Sequence, residues 1–185
     1  MLMKKLPFES FPYIETERLI LRKIDTPKDV TNFFVIRSNS NTMFHIPRQP
    51  AQTEQDVIDL INSGNDLYEK GEMLSLAICL KENDVFIGAI GLYRINWDAH
   101  RSEIGYVINP AYSGKGYIHE ACKALVKFAF EEIGFHSLEA VINSDNTPSI
   151  KVVEKLGFVR EAYFKENAMR AGKFIDTVIY SLLNQ

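Results

Sequence analysis

Two glycines lie in the segment Ser113–Ile118, which reads Ser-Gly-Lys-Gly-Tyr-Ile and stands between a predicted strand and a long predicted helix. Glycines let the backbone turn sharply, and the first turn of a helix carries unpaired N–H groups and a partial positive charge. Such a turn can bind a pyrophosphate, although an ordinary glycine turn explains the same residues. The segment is neither a P-loop nor a dinucleotide fingerprint, because it lacks a terminal Gly-Lys-Ser/Thr and a third glycine.

The elements that must position this turn follow from hydrophobic periodicity and from helix-capping residues. Seven strands are predicted, over residues 17–22, 74–80, 85–93, 100–108, 137–142, 158–164 and 174–183. Four helices are predicted, over residues 26–38, 53–70, 118–133 and 147–156. Thr26, Thr53 and Thr147 are the predicted caps. The order of elements, β-α-α-β-β-β-α-β-α-β-β, predicts a mixed sheet with helices on both faces, which is an α/β (α+β) fold.

Composition limits the classes of function. The 185 residues are 46% hydrophobic and 24% charged, and no repeat or linker divides them, so we expect one domain over residues 1–185. The net charge is -3 without a long basic run, which disfavours a nucleic-acid partner. No apolar run approaches the roughly 18 residues of a membrane span, and the first residues lack a signal-peptide core. We therefore expect a cytoplasmic protein that does not enter a membrane.

The cysteines and histidines lack the spacing of a metal site. Cys79 and Cys122 lie far apart in apolar runs, as expected for reduced thiols in a core. The histidines are scattered along the chain and none stands at a metal-ligand spacing from another. We therefore expect no metal.

The run from Glu103 to Ala121, which contains the glycine turn, resembles the acetyl-CoA motif of the GNAT superfamily of N-acetyltransferases. It is most similar to the RimJ/RimL-like branch, the ribosomal-protein N-terminal acetyltransferases and their relatives. Residues 15–22 and 146–158 resemble the same branch, so the resemblance covers about residues 14–183. It implies a mixed, mostly antiparallel seven-stranded sheet flanked by about four helices, with a splayed strand pair that forms the CoA cleft.

The resemblance implies acetyl-CoA as co-substrate and suggests which backbone segments bind it. On a bulged strand, the pantetheine arm would be held by the backbone of Tyr106, Val107 and Ile108. The pyrophosphate would be held by the backbone of the glycine turn, which comprises Ser113, Gly114, Lys115, Gly116, Tyr117 and Ile118. Ala111 stands where the family usually has Gln or Arg, but binding by main-chain N–H groups does not depend on that side chain.

Three polar residues near the third motif complete the implied site. Asn143 and Asn146 would contact the cofactor, with Asn146 bonded to the pantetheine. Asn146 could also form an Asx turn ahead of a helix capped by Thr147. Ser149 would donate a proton to the leaving thiolate, because Val153 stands where many GNAT enzymes have a tyrosine. Ser149 could equally be only a helix-start hydroxyl.

Glu103 matches the family glutamate beside the acetyl group. An ammonium group is not a nucleophile until it loses a proton, and a carboxylate could accept that proton directly or through water. Alternatively, Glu103 could be a strand residue paired with Arg101 or another cation. The RimL type also uses a glutamate shortly before the final strand, where this chain has Ala168, with Glu166 nearby.

The resemblance implies that the amine attacks the thioester directly, while a backbone N–H near Val107 stabilises the oxyanion. The acceptor would be a protein N-terminus, such as that of a ribosomal protein, or a small-molecule amine. The candidate small-molecule acceptors are polyamines, aminoglycosides and amino-acid-like metabolites. A CoA-binding regulatory module without turnover is a third hypothesis, which the presence of Glu103, Asn146 and Ser149 disfavours.

The acceptor site is expected in loops that carry no recognisable motif. Tyr93, Trp97 and Phe44 could line it or could simply pack in the protein. Residues 39–52 and 94–100 are expected to select the acceptor. The protein would act as a monomer or a homodimer.

Overall fold

The computed structural model of the chain describes residues 6, 8–170 and 172–184. Within these residues, eight strands form one sheet in the order β1-β2-β3-β4-β5-β6-β8-β7. The strands are β1 (Ile14–Glu15), β2 (Leu19–Arg22), β3 (Leu74–Leu80), β4 (Phe86–Asn96), β5 (Arg101–Ile108), β6 (Ser137–Asn143), β7 (Val159–Arg170) and β8 (Lys173–Leu183). All neighbours are antiparallel except β5 and β6. The mixed, mostly antiparallel sheet is confirmed, with one strand more than predicted.

Helices lie between the strands in the predicted places. They are α1 (Val30–Arg37), α2 (Ser40–Met43), α3 (Glu54–Glu69), α4 (Tyr117–Phe128) and α5 (Thr147–Lys155). A π-helical turn over Ala129–Ile133 continues α4 to the predicted end. The short helix α2 lies in the segment predicted as a loop. None of the described helices has the length and apolar character needed to cross a lipid bilayer.

The two faces of the sheet pack against different helices, as predicted. One face buries Ile90, Leu92 and Ile104 with the apolar side of α4, which contributes Ala121, Cys122 and Leu125. The other face buries Ala77, Cys79 and Ala89 against α1 and α3, which contribute Val30, Phe33, Ile36, Val57 and Ile61. Burial of these side chains supplies the hydrophobic stabilisation that fixes the helices on the sheet.

The predicted side-chain cap is found at the start of α3 but not at the start of α1. Thr53 caps α3 as predicted: its hydroxyl accepts from the Asp56 N–H at 3.3 Å, and the Asp56 carboxylate accepts from the Thr53 N–H at 3.0 Å. The predicted cap Thr26 is wrong, because α1 begins at Val30 after Asp29. The Asp29 side chain does not cap either, since it accepts two hydrogen bonds from the Arg22 guanidinium at 2.7 and 2.9 Å.

The sheet opens between β5 and β6. Their parallel ladder pairs Arg101 with Ser137, Ser102 with Leu138 and Glu103 with Glu139, and then stops. Beyond that point β5 continues only along β4, and β6 continues only along β8. The predicted splayed pair is therefore confirmed.

The bulge in this region lies on a different strand from the one expected. The β4–β5 register shifts between Tyr93 and Asn96, where Arg94 adopts a φ of 49°. The extra residue belongs to β4, so the expectation of a bulge on the strand that carries residues 106–108 is wrong. A bulge next to an open sheet edge increases the local twist and can redirect a side chain.

Candidate active site

The opening between β5 and β6 is part of a cleft of about 1550 Å³. The glycine turn, the open part of β5, the end of β6 and the start of α5 line one part of it. Residues from α1, α3, β4 and the segment between α1 and α3 line the rest. The cleft is larger than a typical single-ligand pocket, and its size suits a nucleotide cofactor together with a second substrate.

The exposed edge of β5 can form main-chain hydrogen bonds. Tyr106, Val107 and Ile108 lie beyond the last β5–β6 pair and line the cleft. Because the neighbouring strand has diverged, alternate N–H and C=O groups on this edge lack a ladder partner. An extended ligand with amide groups, such as pantetheine, can pair with such an edge as an added strand would.

The glycine turn has the backbone that an anion socket requires. Gly114 has a φ of 75°, and Gly116, which precedes the first residue of α4, has a φ of 81°. The first backbone N–H of α4 that donates to a carbonyl four residues earlier is that of Glu120, which lies 3.1 Å from the Gly116 oxygen. The N–H groups between the turn and Glu120 are therefore available to a phosphate.

Not every residue of the turn faces the cleft. Ser113, Gly114, Gly116, Tyr117 and Ile118 line it, whereas Lys115 does not. The Lys115 carbonyl accepts from the Arg18 guanidinium at 3.1 Å, and its ammonium lies 5.3 Å from the centre of the Tyr112 ring. Arg18 is held by Glu120, whose carboxylate accepts from its Nε at 2.7 Å.

The predicted asparagines and serine lie on the opposite wall. Asn143 is buried at the end of β6, with its amide nitrogen 3.3 Å from Nδ1 of His45. Asn146 caps α5 by accepting from the Ser149 N–H at 3.3 Å, so Thr147 is the first helical residue and the prediction of Thr147 as the cap is wrong. Asn143, Asn146 and Ser149 all line the cleft.

Ser149 and Tyr106 connect the two walls. The Tyr106 hydroxyl donates to the Ser149 carbonyl at 3.4 Å, across the opening between β5 and α5. Burial raises the pKa of the Tyr106 phenol, which keeps it in the neutral, donating form. Tyr106 thus holds the start of α5 against β5 at the level of the cleft.

Glu103 lies at the last paired position of β5, directly opposite Tyr93 of β4. Its side chain is 18% exposed, and Oε2 lies 3.1 Å from Arg94 Nη1. The two groups are not aligned as a hydrogen bond, and the buried Oε2 has no hydrogen-bond partner among the described residues. Arg101 pairs with Glu139 instead of Glu103. The cation beside Glu103 is therefore Arg94.

The surroundings of Glu103 change its pKa. Burial raises it, the Arg94 charge lowers it, and the Glu139 charge raises it, with a net rise above the usual range. A carboxylate with a raised pKa is a stronger base than one in water, which suits general-base chemistry near neutral pH. Glu103 Oε2 is thus buried beside Arg94 without a hydrogen-bond partner among the described residues.

Other predicted participants lie elsewhere. Trp97 donates from Nε1 to the Gly71 carbonyl at 2.7 Å and packs on Phe135 in the core. Phe44 packs on His45 and is not part of the cleft lining. Glu166, the alternative base, is exposed on β7 and does not line the cleft either. Of the three aromatic residues considered for the amine site, Tyr93 lines the cleft.

Three cleft residues carry no signal in the sequence, and a fourth lies in the acetyl-CoA motif without a predicted role. Arg37, His45 and Arg48 come from α1 and the segment that follows it, and His119 comes from the first turn of α4. The His119 Nδ1 is buried without a hydrogen-bond partner in the described chain. No motif or spacing marks Arg37, His45 or Arg48, because tertiary packing brings them to the cleft. Among the described residues, no group of three or more His, Cys, Asp or Glu side chains could hold a metal ion.

Residues 18–159 match the family model described as an acetyltransferase (GNAT) domain. The chain belongs to the GNAT family of acetyltransferases. A relative named uncharacterized N-acetyltransferase YnaD, from Bacillus subtilis, is 33% identical over 174 residues, which are 94% of this chain and 98% of the relative. This GNAT chain is thus an N-acetyltransferase, and the resemblance noted in the sequence is confirmed.

Solved GNAT structures share its fold. The crystal structure of a GNAT-family acetyltransferase from Bacillus anthracis has a TM-score of 0.83 at 32% identity, covering 94% of this chain and 99% of that one. RimL, named a ribosomal L7/L12 alpha-N-protein acetyltransferase and solved in complex with coenzyme A, has a TM-score of 0.85 at 17% identity. That match covers 93% of this chain and 98% of RimL.

Proposed function

We propose that this N-acetyltransferase transfers an acetyl group from acetyl-CoA to a primary amine by direct attack within a ternary complex. The observation that carries the proposal is that the glycine turn, the open edge of β5 and Glu103 line one continuous cleft. A site for phosphate, a strand edge with free main-chain groups and a base thus follow one another along the cleft. An acyl carrier and an amine can meet there without a covalent enzyme intermediate.

The binding roles follow from this arrangement. The N–H groups of the glycine turn bind the pyrophosphate, and the edge formed by residues 106–108 pairs with the pantetheine amides. Asn143 and Asn146 face the pantetheine from the opposite wall. The bound acetyl-CoA supplies an activated acyl group, and a backbone N–H near Val107 stabilises the negative charge that develops on its carbonyl oxygen.

Glu103 and Ser149 act on protons. Glu103 Oε2 accepts a proton from the ammonium group of the acceptor, directly or through water, and the freed nitrogen pair forms the bond to the acetyl carbon. The carbon–sulfur bond breaks as the amide forms. The Ser149 hydroxyl donates to the leaving thiolate and is reprotonated from solvent, and the amide nitrogen loses its second proton to water.

The acceptor proposed first is the N-terminal amine of a protein. Its support is the resemblance of the three sequence motifs to the RimJ/RimL-like branch and the fold shared with RimL. The second candidate is a small-molecule amine. A CoA-binding module without turnover is set aside, because the chain is an acetyltransferase by family and relatives such as YnaD are named N-acetyltransferases.

The test is release of CoA from acetyl-CoA, measured with a panel of protein N-terminal peptides and small amines. We expect turnover with at least one class of primary amine and none with its N-methylated tertiary analogue. Isothermal titration with CoA, run in parallel, separates cofactor binding from acceptor choice. A folded protein that does not bind CoA would refute the proposed function.

A further inference from the structure

Arg37 is a buried cation without an acidic partner. It is the last residue of α1, its residue surface is only 8% exposed, and it lines the cleft. Among the described residues no carboxylate forms an ion pair or hydrogen bond with its guanidinium, and burial lowers its pKa. The C-terminal end of α1 offsets part of this cost, because a helix dipole favours a cation there. A buried charge that lacks a counter-ion nevertheless remains costly.

A second arginine lines the same cleft. Arg48 is exposed on the segment between α2 and α3, and it also lines the cleft. It is close enough that its positive charge lowers the pKa of Arg37 further, after burial. Two guanidinium groups that repel each other in a cleft are stabilised together by an anion, and their planar donors match a carboxylate in a bidentate manner.

Tyr93 connects this pair of arginines to the proposed base. Its ring packs on Gly91 and Gly105, which pair with each other across β4 and β5. A Cβ atom would come within 2.9 Å of the ring at Gly91 and within 3.0 Å at Gly105, so the ring occupies the space that these glycines leave open. Burial raises the pKa of the Tyr93 phenol, and Ser75 and the charges of Arg37 and Arg48 lower it. Tyr93 therefore lines the same cleft as both arginines and pairs across the strands with Glu103.

The arginine pair is separate from the predicted pyrophosphate socket. The arginines lie near Tyr93, which pairs with Glu103 at the closed end of the β5–β6 opening. The glycine turn follows Ile108 at the other end of β5. A strand rises about 3.4 Å per residue, so about 17 Å separates Glu103 from Ile108 along β5. The phosphates of CoA and an anion bound by the arginines would thus occupy different parts of the cleft.

We propose that the acceptor amine of this enzyme carries a carboxylate, which Arg37 and Arg48 bind while Glu103 faces the amine in the same cleft. This inference rests on the proposed function, because it concerns the acceptor half of the same cleft. The acceptor is either a free amino acid, with its own α-carboxylate, or a peptide whose first side chain is acidic. A polyamine is not favoured, since two unpaired cations would repel it.

The experiment compares acceptors with and without the carboxylate, and kcat/KM is expressed per unprotonated amine because the carboxylate also raises the pKa of the amine. L-Alanine is compared with L-alanine amide, and an N-terminal peptide that begins with Asp is compared with one that begins with Asn. For wild-type enzyme we expect the carboxylate member of one pair to have a kcat/KM higher by roughly ten- to a hundredfold, as for charge-assisted hydrogen bonds. The pair that shows the difference identifies the source of the carboxylate.

Variants assign the effect to the arginines. Arg37→Gln and Arg48→Gln should raise KM for the carboxylate acceptor and leave kcat/KM for its amide partner and KM for acetyl-CoA within about twofold. Arg160→Gln is the matched control, because Arg160 is exposed on β7 and does not line the cleft. Equal rates for carboxylate and amide acceptors in wild-type enzyme would overturn the inference and leave the proposed function intact.

A second readout does not require turnover. Thermal unfolding of the protein with CoA is measured with N-acetyl-L-alanine, N-acetyl-L-aspartate and their amides as product-like probes. A carboxylate probe that raises Tm for wild type but not for Arg37→Gln supports the anion site. If that shift occurs in a protein that shows no turnover, only the proposed function fails. Where no turnover is observed, the absence of any carboxylate-dependent shift would refute the anion site.

Discussion

Arg94 Nη1 lies 3.1 Å from Glu103 Oε2 at the point where β4 bulges beside the open edge of β5. The Arg94 side chain is 71% exposed, whereas the Glu103 side chain is mostly buried. An exposed cation thus lies beside the buried carboxylate that we propose as the general base. The left-handed backbone at Arg94 brings its side chain to this position, although Arg94 is not a direct cross-strand neighbour of Glu103.

Glu103→Gln should lower activity by an amount that depends on the acceptor. An alkylamine has a pKa of about 10.4 and is almost entirely protonated at neutral pH, so the loss should be in the range of about 10²–10⁴-fold typical of general-base catalysis. An α-amine, with a pKa of about 7.7–8.0, should lose less. The measurement is the pH profile of kcat/KM, in which higher pH restores part of the loss. Parallel profiles offset by less than about threefold would mean that Glu103 is structural.

Glu103→Gln should also stabilise the protein at neutral pH. Burial raises the folded-state pKa of Glu103 above its unfolded value, so the folded state prefers the protonated form. Stability therefore falls as pH rises from the unfolded pKa through the folded pKa, and the ionised group destabilises the fold above both values. Glutamine mimics the protonated acid, so its gain in Tm should be present at pH 7 and vanish near pH 4. A loss of Tm at pH 7 would contradict this sign.

Arg94→Gln should shift the acidic limb of the kcat/KM profile to higher pH. The Arg94 charge lowers the pKa of Glu103, so its removal leaves burial and the Glu139 charge, which both raise that pKa. The base then stays protonated to a higher pH. Because Arg94 is exposed, the shift should be modest and should shrink in high salt. A limb that moves to lower pH would show that Glu103 is not the titrating base.

Gly116→Val should weaken CoA binding by far more than Gly172→Val. Both glycines have positive φ, 81° and 75°, so a β-branched residue strains both backbones by a similar amount. Gly172 lies in the turn between β7 and β8, where it does not line the cleft. Wild type should gain about 2.7 kcal/mol from CoA at a hundredfold excess over Kd. If titration gives both variants the wild-type Kd, the glycine turn is not the pyrophosphate socket.

Ser149→Ala should reduce kcat only modestly and leave KM for acetyl-CoA unchanged. A thiolate near its solution pKa can leave without full protonation, so a hydroxyl donor assists the step and is not essential. Thr147→Ala is a useful control, because Thr147 is a neighbouring helix-start hydroxyl that does not line the cleft. Equal kcat values for wild type and Ser149→Ala would remove Ser149 from the mechanism.

Arg37→Met should leave the ligand-free protein at least as stable as wild type. Methionine keeps much of the apolar stem of arginine, and the substitution removes a buried cation that has no described acidic partner and is repelled by Arg48. Urea unfolding without ligands measures the difference. A loss above about 2 kcal/mol would mean that the Arg37 charge is satisfied within the fold and contributes to its stability.

The sequence by itself determined the local features of this protein. The capping box of Thr53 and Asp56 spans three residues, and the glycine turn before α4 depends on adjacent backbone angles. Hydrophobic periodicity and capping residues predicted seven strands and four helices, and the order of these elements predicted helices on both faces of the sheet. Such features were readable because the interacting groups lie within one turn of each other or repeat with a fixed period. The two-residue strand β1 and the four-residue helix α2 were too short to give a period.

Only the tertiary structure decided the rest, because the deciding contacts join distant parts of the chain. Asp29 stands at the start of α1 without capping it, because Arg22 binds its carboxylate. Arg94 became the partner of Glu103 through a bulge that changes the β4–β5 register, a feature without a sequence signal. Arg37 lines the same cleft as Arg48 and Tyr93 because α1 packs on β3 and β4. The positions of charged side chains from distant segments depend on tertiary packing, and short sequence patterns do not specify that packing.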